Sequence, residues 1–305
     1  MDIQVIISVM AILFILIILG YICSKLKVLP PETGKVLTKL VLNVTLPCTV
    51  LSSVVSGELS ISGGETAFFL LMTLLVLLIH VIIALPTARV LCSDKASRGL
   101  YGAFLIFGNV GFMGFPVIGA IFGAEAVFYV ALFNIPFQVL SFSLGIMLIS
   151  GKGGRHDPRV LLSPTLICSL LAIPLGIIGF KAPDVIAEAI RLSGNMTTPT
   201  TMFIIGVTLA QVPVKNVFTE WRLYPSAVLK LTVVPVVVWL ILRVFITDAQ
   251  ILGILVVLSA MPTAVIVAMF AIEYGNDEHT ASKSIFLTTL MSCATIPLMV
   301  YLLLV

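Results

Sequence analysis

Gly108-Asn109-Val110-Gly111-Phe112-Met113-Gly114-Phe115-Pro116 is a run of helix breakers set inside an otherwise apolar, membrane-length segment. Between Gly99 and Gly151 the only ionisable acid or base is Glu125, so a helix there has to live in lipid. Three glycines, a proline and an asparagine amide at mid-depth weaken a helix. Irregular backbone inside a bilayer is tolerated only where protein or a water-filled cavity surrounds it. The run therefore reads as a site.

Working outward, the 305 residues are 60% hydrophobic and only 10% charged, with a mean hydropathy of +1.21. Soluble domains carry about a quarter charged residues, so this is a polytopic membrane protein. Ten stretches of the required length, about 20 mostly apolar residues each, are marked off by polar breaks. They lie near 3–24, 33–55, 66–90, 98–121, 124–149, 160–179, 187–210, 223–246, 249–273 and 281–304. Almost nothing remains outside them, which leaves no room for a soluble catalytic domain. The first stretch follows Asp2 without a basic leader and reads as a retained span. The five cysteines (Cys23, Cys48, Cys92, Cys168, Cys293) form no C-x-x-C pair and read as small hydrophobes. The net charge of +3 shows no clustered basic face of the kind nucleic-acid binding needs.

Alternate loops differ sharply in charge. One side collects Lys25, Lys27, Lys35, Lys39, Arg89, Lys95, Arg98, Lys152, Arg155, Arg159, Lys215, Arg222 and Lys283, and the other only Lys181, Arg191 and Arg243. By the positive-inside rule the first side is cytoplasmic, both termini face out of the cytoplasm, and Cys92 sits in a cytoplasmic loop.

The chain also repeats. Asn43-Val44-Thr45-Leu46-Pro47-Cys48-Thr49 matches Asn195-Met196-Thr197-Thr198-Pro199-Thr200-Thr201 at an offset of 152, and the same offset pairs Phe122-Gly123 with Tyr274-Gly275. It sets the Asn109 region against Met261-Pro262-Thr263, a second mid-span break. The expected fold is thus all-α, with ten transmembrane helices in two five-helix repeats, residues 1–152 and 153–305. Because five is odd, the second repeat enters the membrane inverted. Inverted repeats with broken helices at matching positions, here spans four and nine, are the plan of secondary transporters, whose site lies near the midplane. The half-helix N-termini beyond the breaks favour an anion. The opposing C-terminal ends expose carbonyls that could hold a cation.

At these residues the sequence resembles the auxin efflux carrier family, which includes the plant PIN-type carriers and bacterial carriers of malonate and related organic acids. Gly108 to Pro116 is similar to that family's span-four signature, and Ala260-Met261-Pro262 through Ala271-Ile272-Glu273-Tyr274-Gly275 to its span-nine signature. The resemblance implies the bile acid/auxin-type inverted-repeat fold. In it spans one, two, six and seven form a scaffold that often dimerises, and spans three to five and eight to ten a moving transport unit. The large cytoplasmic loop of plant members is missing, since only Lys152 to Arg159 is polar between spans five and six. A short carrier of a bacterial cytoplasmic membrane is expected.

Candidate residues follow from the breaks. Asn109 is a buried amide in need of partners and reads as a substrate contact, with Gly108, Val110, Gly111, Gly114 and Pro116 forming the crossover beside it. Met261, Pro262 and Thr263 form the second break. The Asn43/Pro47 and Asn195/Pro199 pairs either line the cavity opposite the crossover or shape the dimer face. Both spell the N-x-T glycosylation acceptor, yet neither lies in an exposed loop. His80 is the one histidine inside a span and a proton-coupling candidate, against the plainer reading of an imidazole bonded to a neighbouring helix. Lys230 reads as a side chain snorkelling to the cytoplasmic end of span eight, Glu273 as solvated or paired. Asn134, Gln138 and Ser141 are polar positions of span five that nothing ranks. With no mid-span Asp pair and no H-E-x-x-H cluster, carboxylate-based antiport, metal binding and enzyme activity are not expected. The expected function is secondary-active movement of a small organic anion by alternating access, without a cofactor, with H⁺ or Na⁺ as the open choice of coupling ion. A Na⁺-coupled symporter of the same fold and a non-transporting receptor or scaffold are the alternatives.

Overall fold

A computed structural model of the chain describes residues 3–30, 32–55, 61–151, 163–212, 217 and 219–304. The polar stretch around Lys152, Arg155 and Arg159, the first residues of the sixth expected span, and Lys215 lie outside the described residues. The described chain is helical, and six of its helices are long and apolar enough to cross a membrane. These are α1 (Ile3–Lys25), α2 (Thr33–Ser52), α3 (Gly63–Leu91), α6 (Ala124–Ser150), α10 (Leu223–Leu242) and α13 (Glu278–Leu304). The remaining apolar length is divided: α4 (Lys95–Ile106) then α5 (Val110–Phe122), α7 (Pro164–Ile177), α8 (Asp184–Asn195) then α9 (Thr197–Ala210), and α11 (Ala249–Ser259) then α12 (Val265–Glu273). The segments 98–121 and 249–273 are therefore interrupted where the sequence places the breaks. The segment 187–210 is also divided, at Met196.

Helix starts are set by local chemistry at the polar edges. Ser62 and Glu65 form a capping box on α3, with Glu65 N–H donating to Ser62 Oγ at 3.1 Å and Ser62 N–H to Glu65 Oε2 at 2.8 Å. Asp94 accepts from Ser97 N–H at 2.8 Å to start α4, and Asp248 accepts from Gln250 and Ile251 N–H at 2.7 and 2.9 Å to start α11. The Ser97 bond holds the Asp94 carboxyl below the usual carboxylate range, so its contribution to the cap is present at neutral pH and fades as pH falls through that lowered value.

Without a hydrophobic drive between helices in lipid, packing rests on close approach at small residues. The α1–α9 contact shows this most clearly. A Cβ on Gly206 would collide with Ile17 O and stand 2.6 Å from Tyr21 N, and one on Gly20 would stand 2.7 Å from Phe203 O. Gly99 of α4 lies equally tight against Leu148 O of α6. Two packing groups result. In one, α1 lies on α9, and α2 on α7 and α8; in the other, α3 lies on α4 and α6, α10 on α11, and α12 on α13.

The repeated N-x-T-x-P segments meet one another in the first group. Thr49 Oγ1 lies 3.0 Å from Gly194 O and 2.6 Å from Thr197 Oγ1, and a Cβ on Gly194 would stand 3.0 Å from Thr49 Cα. Pro47 is buried within α2, while Asn195 and Pro199 are exposed. Cys92 caps the C-terminus of α3 and is 1% exposed, rather than standing free in a loop, so it is a poor reporter of sidedness.

The Gly206 contact predicts a measurable cost. Gly206→Leu forces α1 and α9 apart, and at about 1–3 kcal/mol for overpacking of this kind the purified variant should melt below the wild type. An unchanged melting temperature would show that the two helices do not rely on this approach.

Candidate functional site

The two breaks cross each other. α4 ends at Ile106, Phe107 takes an extended conformation (φ −92°, ψ 105°), and α5 begins after Asn109. α11 ends at Ser259, and α12 begins after Ala264, also extended (ψ 140°). Between them Gly108 and Thr263 form an antiparallel bridge. Asn109 N–H donates to Pro262 O at 2.7 Å, and Ala264 N–H donates to Phe107 O at 3.0 Å. Two unwound strands of backbone at membrane depth thus satisfy each other, which is the condition for their existence in lipid.

The two bonds have the same form. The two donors, Asn109 and Ala264, are 155 residues apart, and so are the two acceptors, Phe107 and Pro262, three more than the offset that aligns Asn43 with Asn195. The crossing therefore sets Gly108, not Asn109, at its centre. The approach is close there: a Cβ on Gly108 would stand 3.2 Å from Met261 Cβ and 3.4 Å from Met261 O.

Beside the crossing opens a cavity of about 590 Å³, within the range that holds small ligands. Of the sequence candidates, Asn43, Gly108, Asn109 and Gly111 line it. Val110 faces a separate small void, and Pro116 is buried in α5. Met261, Pro262, Pro47, Asn195 and Pro199 are not part of the lining. Thr263 is fully buried and turned toward α13, its hydroxyl 3.2 Å from Ser284 Oγ and its N–H donating to Thr288 Oγ1 at 3.1 Å.

Asn109 holds the most informative geometry. Its Oδ1 caps α5 by accepting from Phe112 N–H at 3.4 Å, and the residue is 3% exposed. Its Nδ2 is buried with no hydrogen-bond partner. An amide donor left unsatisfied in this way costs about 1–3 kcal/mol. Both half-helices that start at the crossing, α5 and α12, bring their first turns to the cavity through Gly111 and Phe112, and through Val265 and Ile266. The α12 N-terminus has no side-chain cap. Both ends carry partial positive charge.

The rest of the lining combines a polar face with an aromatic wall. Asn134 and Gln138 of α6 stand one helical turn apart on it, and Thr38 of α2 and Thr165 of α7 face them; Phe112, Phe137, Phe142 and Phe270 supply the apolar surface. Among the described residues Glu273 is the only charged one in the lining, and it is exposed. Ser141 instead turns back to bond Phe137 O at 2.8 Å. The i, i+4 spacing of Asn134 and Gln138 in an apolar span is the signal that would have ranked them together. Thr38, Ser163 and Thr165 sit in ordinary helix-start sequence and carry no such mark.

Behind the crossing the findings differ from expectation. Lys230 does not snorkel: it is 1% exposed, and its Nζ donates to Leu105 O at 3.0 Å and Ile106 O at 3.4 Å. Those carbonyls belong to the last turn of α4, and an ammonium there is better satisfied than it would be along a lipid-facing stem. His80 has Nδ1 2.8 Å from Val76 O in its own helix and Nε2 3.4 Å from Ser259 O, the end of α11. Among the described residues no group of three His, Cys, Asp or Glu could hold a metal ion.

Six membrane-length helices, with two further apolar segments broken and crossed beside a cavity, are the features of a membrane transport protein. The chain belongs to the Membrane transport protein family, the auxin efflux carrier-like family, whose sequence model matches residues 5–160 and 157–300. It is 28% identical over 289 residues to an "Uncharacterized transporter" of Methanothermobacter thermautotrophicus, covering 93% of this chain and 94% of that one. It is 26% identical over 304 residues to a "Putative malonate transporter" of Rhizobium meliloti, covering 95% and 93%. An "Uncharacterized transporter YfdV" of Escherichia coli is 22% identical over 300 residues, covering 95% of each chain.

A bulky side chain can be placed in the cavity at little structural cost, because a Cβ on Gly111 would meet nothing within 4 Å. Gly111→Leu should therefore keep the wild-type melting temperature to within about 1 kcal/mol of stability, as a substitution into open space does, while abolishing ligand binding. Ligand binding by a well-folded Gly111→Leu protein would separate this cavity from the site.

Proposed function

We propose that this protein is a secondary-active carrier of a small organic anion, a malonate-like carboxylate, working by alternating access about the crossed breaks. The observation that carries the reading is Asn109, a cavity-lining residue whose buried Nδ2 has no hydrogen-bond partner, beside the starts of α5 and α12. A carboxylate oxygen is the acceptor that completes this amide, and the helix dipoles favour its charge. Relatedness to a protein named as a malonate transporter supports the substrate class.

In this reading the chain has ten spans in two inverted repeats, residues 1–152 and 153–305. α4 with α5, and α11 with α12, are the broken fourth and ninth spans. The packing group of α1, α2, α7, α8 and α9 corresponds to the scaffold, and the group containing α3, α4, α6 and α10–α13 to the moving unit. The scaffold helix α1 exposes Ile7, Ile12, Ile15 and Ile18, the surface available to lipid or to a second copy in a homodimer. The distribution of Lys and Arg supports a cytoplasmic membrane location with both termini outside.

The test is direct. Malonate should raise the melting temperature of the purified wild type, as a ligand at about 100 times its Kd adds about 2.7 kcal/mol, and Asn109→Ala should lose most of that shift. Radiolabelled malonate should enter proteoliposomes containing the wild type and not those containing Asn109→Ala. Stabilisation without any flux would mark a receptor, and no stabilisation by malonate or other small carboxylates would end the anion reading.

A further inference from the structure

The groups behind the crossing form a second constellation, separate from the cavity. A helix that stops at membrane depth leaves its last carbonyls without N–H partners and concentrates the negative end of its dipole there. In transporters of this general plan, half-helix C-termini are where coupling cations are held. In this chain α4 makes such an end at Leu105 and Ile106, and a side chain already occupies it.

The occupant comes from the other half of the chain. Lys230 lies in a π-helical turn of α10, Leu229–Val233, and its Nζ reaches across to the two carbonyls. Among the described residues it has no carboxylate partner, the ion pair there being Arg191–Glu188 at a distant exposed site. A buried ammonium without a carboxylate needs oxygen donors in close range, and the α4 carbonyls are the ones it has. Nζ also stands 3.5 Å from where a Gly108 Cβ would be, at a void of about 10 Å³ shared with His80, room for one water. The carbonyls that would ligate an ion there are already engaged by Nζ.

The matching end of α11 is treated in the same way. His80, on α3, approaches Ser259 O, and Lys230 follows His80 by 150 positions, two short of the repeat offset. Each broken helix thus has its C-terminal end met by a nitrogen-bearing side chain from the opposite half. Only on the α4 side is that group a lysine.

We propose that the Lys230 ammonium is the fixed cation of this carrier, standing at the end of α4 where a sodium-coupled protein would bind its ion, so that anion movement requires no sodium. The proposal rests on the carrier reading above and narrows it, replacing an exchangeable ion with a tethered one. The charge it places behind Gly108 also faces the same crossing whose front wall carries Asn109, adding to the attraction for an anion.

The test separates the two readings. Purified wild-type protein, without organic anion, is melted in choline chloride progressively replaced by NaCl at constant ionic strength; the melting temperature should not rise. Uptake of radiolabelled malonate into proteoliposomes should proceed at the same rate in sodium and in choline buffer. Lys230→Met, which keeps length and removes charge, should reduce uptake by about tenfold or more, the loss of one charge-assisted interaction. A saturable sodium stabilisation of the wild type, sodium-dependent malonate uptake, or wild-type uptake by Lys230→Met would each overturn the proposal. Should Lys230→Met not be recovered folded, the two wild-type measurements decide it. If malonate neither stabilises nor enters, the anion reading fails, while the sodium titration still judges Lys230.

Discussion

Backbone that leaves its helix inside a bilayer has to find new hydrogen-bond partners, and the rest of this structure depends on how that requirement is met. Two segments leave their helices at the same depth and pair with each other through Asn109 N–H to Pro262 O and Ala264 N–H to Phe107 O. Neither break could persist alone without exposing polar groups to hydrocarbon at several kcal/mol each. The pairing brings Gly108 close to Met261 at its centre and is walled on both faces. One face is closed by Lys230 and His80; the other is left open as the cavity.

Crossing the breaks also sorts charge. The starts of α5 and α12 bring partial positive charge to the cavity, while the ends of α4 and α11 point to the opposite side and meet Lys230 and His80. In the proposed reading, an anion entering the cavity finds the uncapped N–H groups of α12 and the Asn109 amide, with no lysine or arginine among the described lining residues. Recognition by dipoles and amides has an advantage for a carrier. It can be strong enough to select a carboxylate, and weaker to release than a bidentate guanidinium pair.

Much of this was legible in the residues. The lack of charge between Gly99 and Gly151 and the breakers at Gly108 to Pro116 located the first crossing segment, and Pro262 located the second, because both act on the backbone itself. Asn109 was legible for the same reason, an amide in a break having to bond something. What was not legible depends on direction. Thr263 and Asn109 are both polar residues of a break, yet one faces α13 and the other the cavity, and no local pattern separates them. Lys230 lay within reach of either the interface or the protein interior by length alone, and only the position of the α4 carbonyls decides between them. Asn195 and Pro199 repeat Asn43 and Pro47 in sequence but are exposed, the helix contact there being made by Gly194 and Thr197, since the repeat copies the segment and not its neighbours.

Among the described residues four helices carry a π-helical turn, at Val41–Thr45, Val110–Gly114, Ser141–Gly145 and Leu229–Val233. Each is in effect one extra residue absorbed without ending the helix, and it turns everything beyond it by about 100° relative to a regular helix. It also releases a carbonyl from its own ladder for use elsewhere: Leu42 O, in the first of these turns, receives the Thr165 hydroxyl of α7 at 2.9 Å. Lys230 sits inside another. The chain has thus lengthened its helices by single residues at the very levels where a side chain or a carbonyl has to be re-aimed. In aligning relatives of this family, a one-residue gap within a span is therefore to be read as a change in which face looks inward, and not as noise in a hydrophobic stretch.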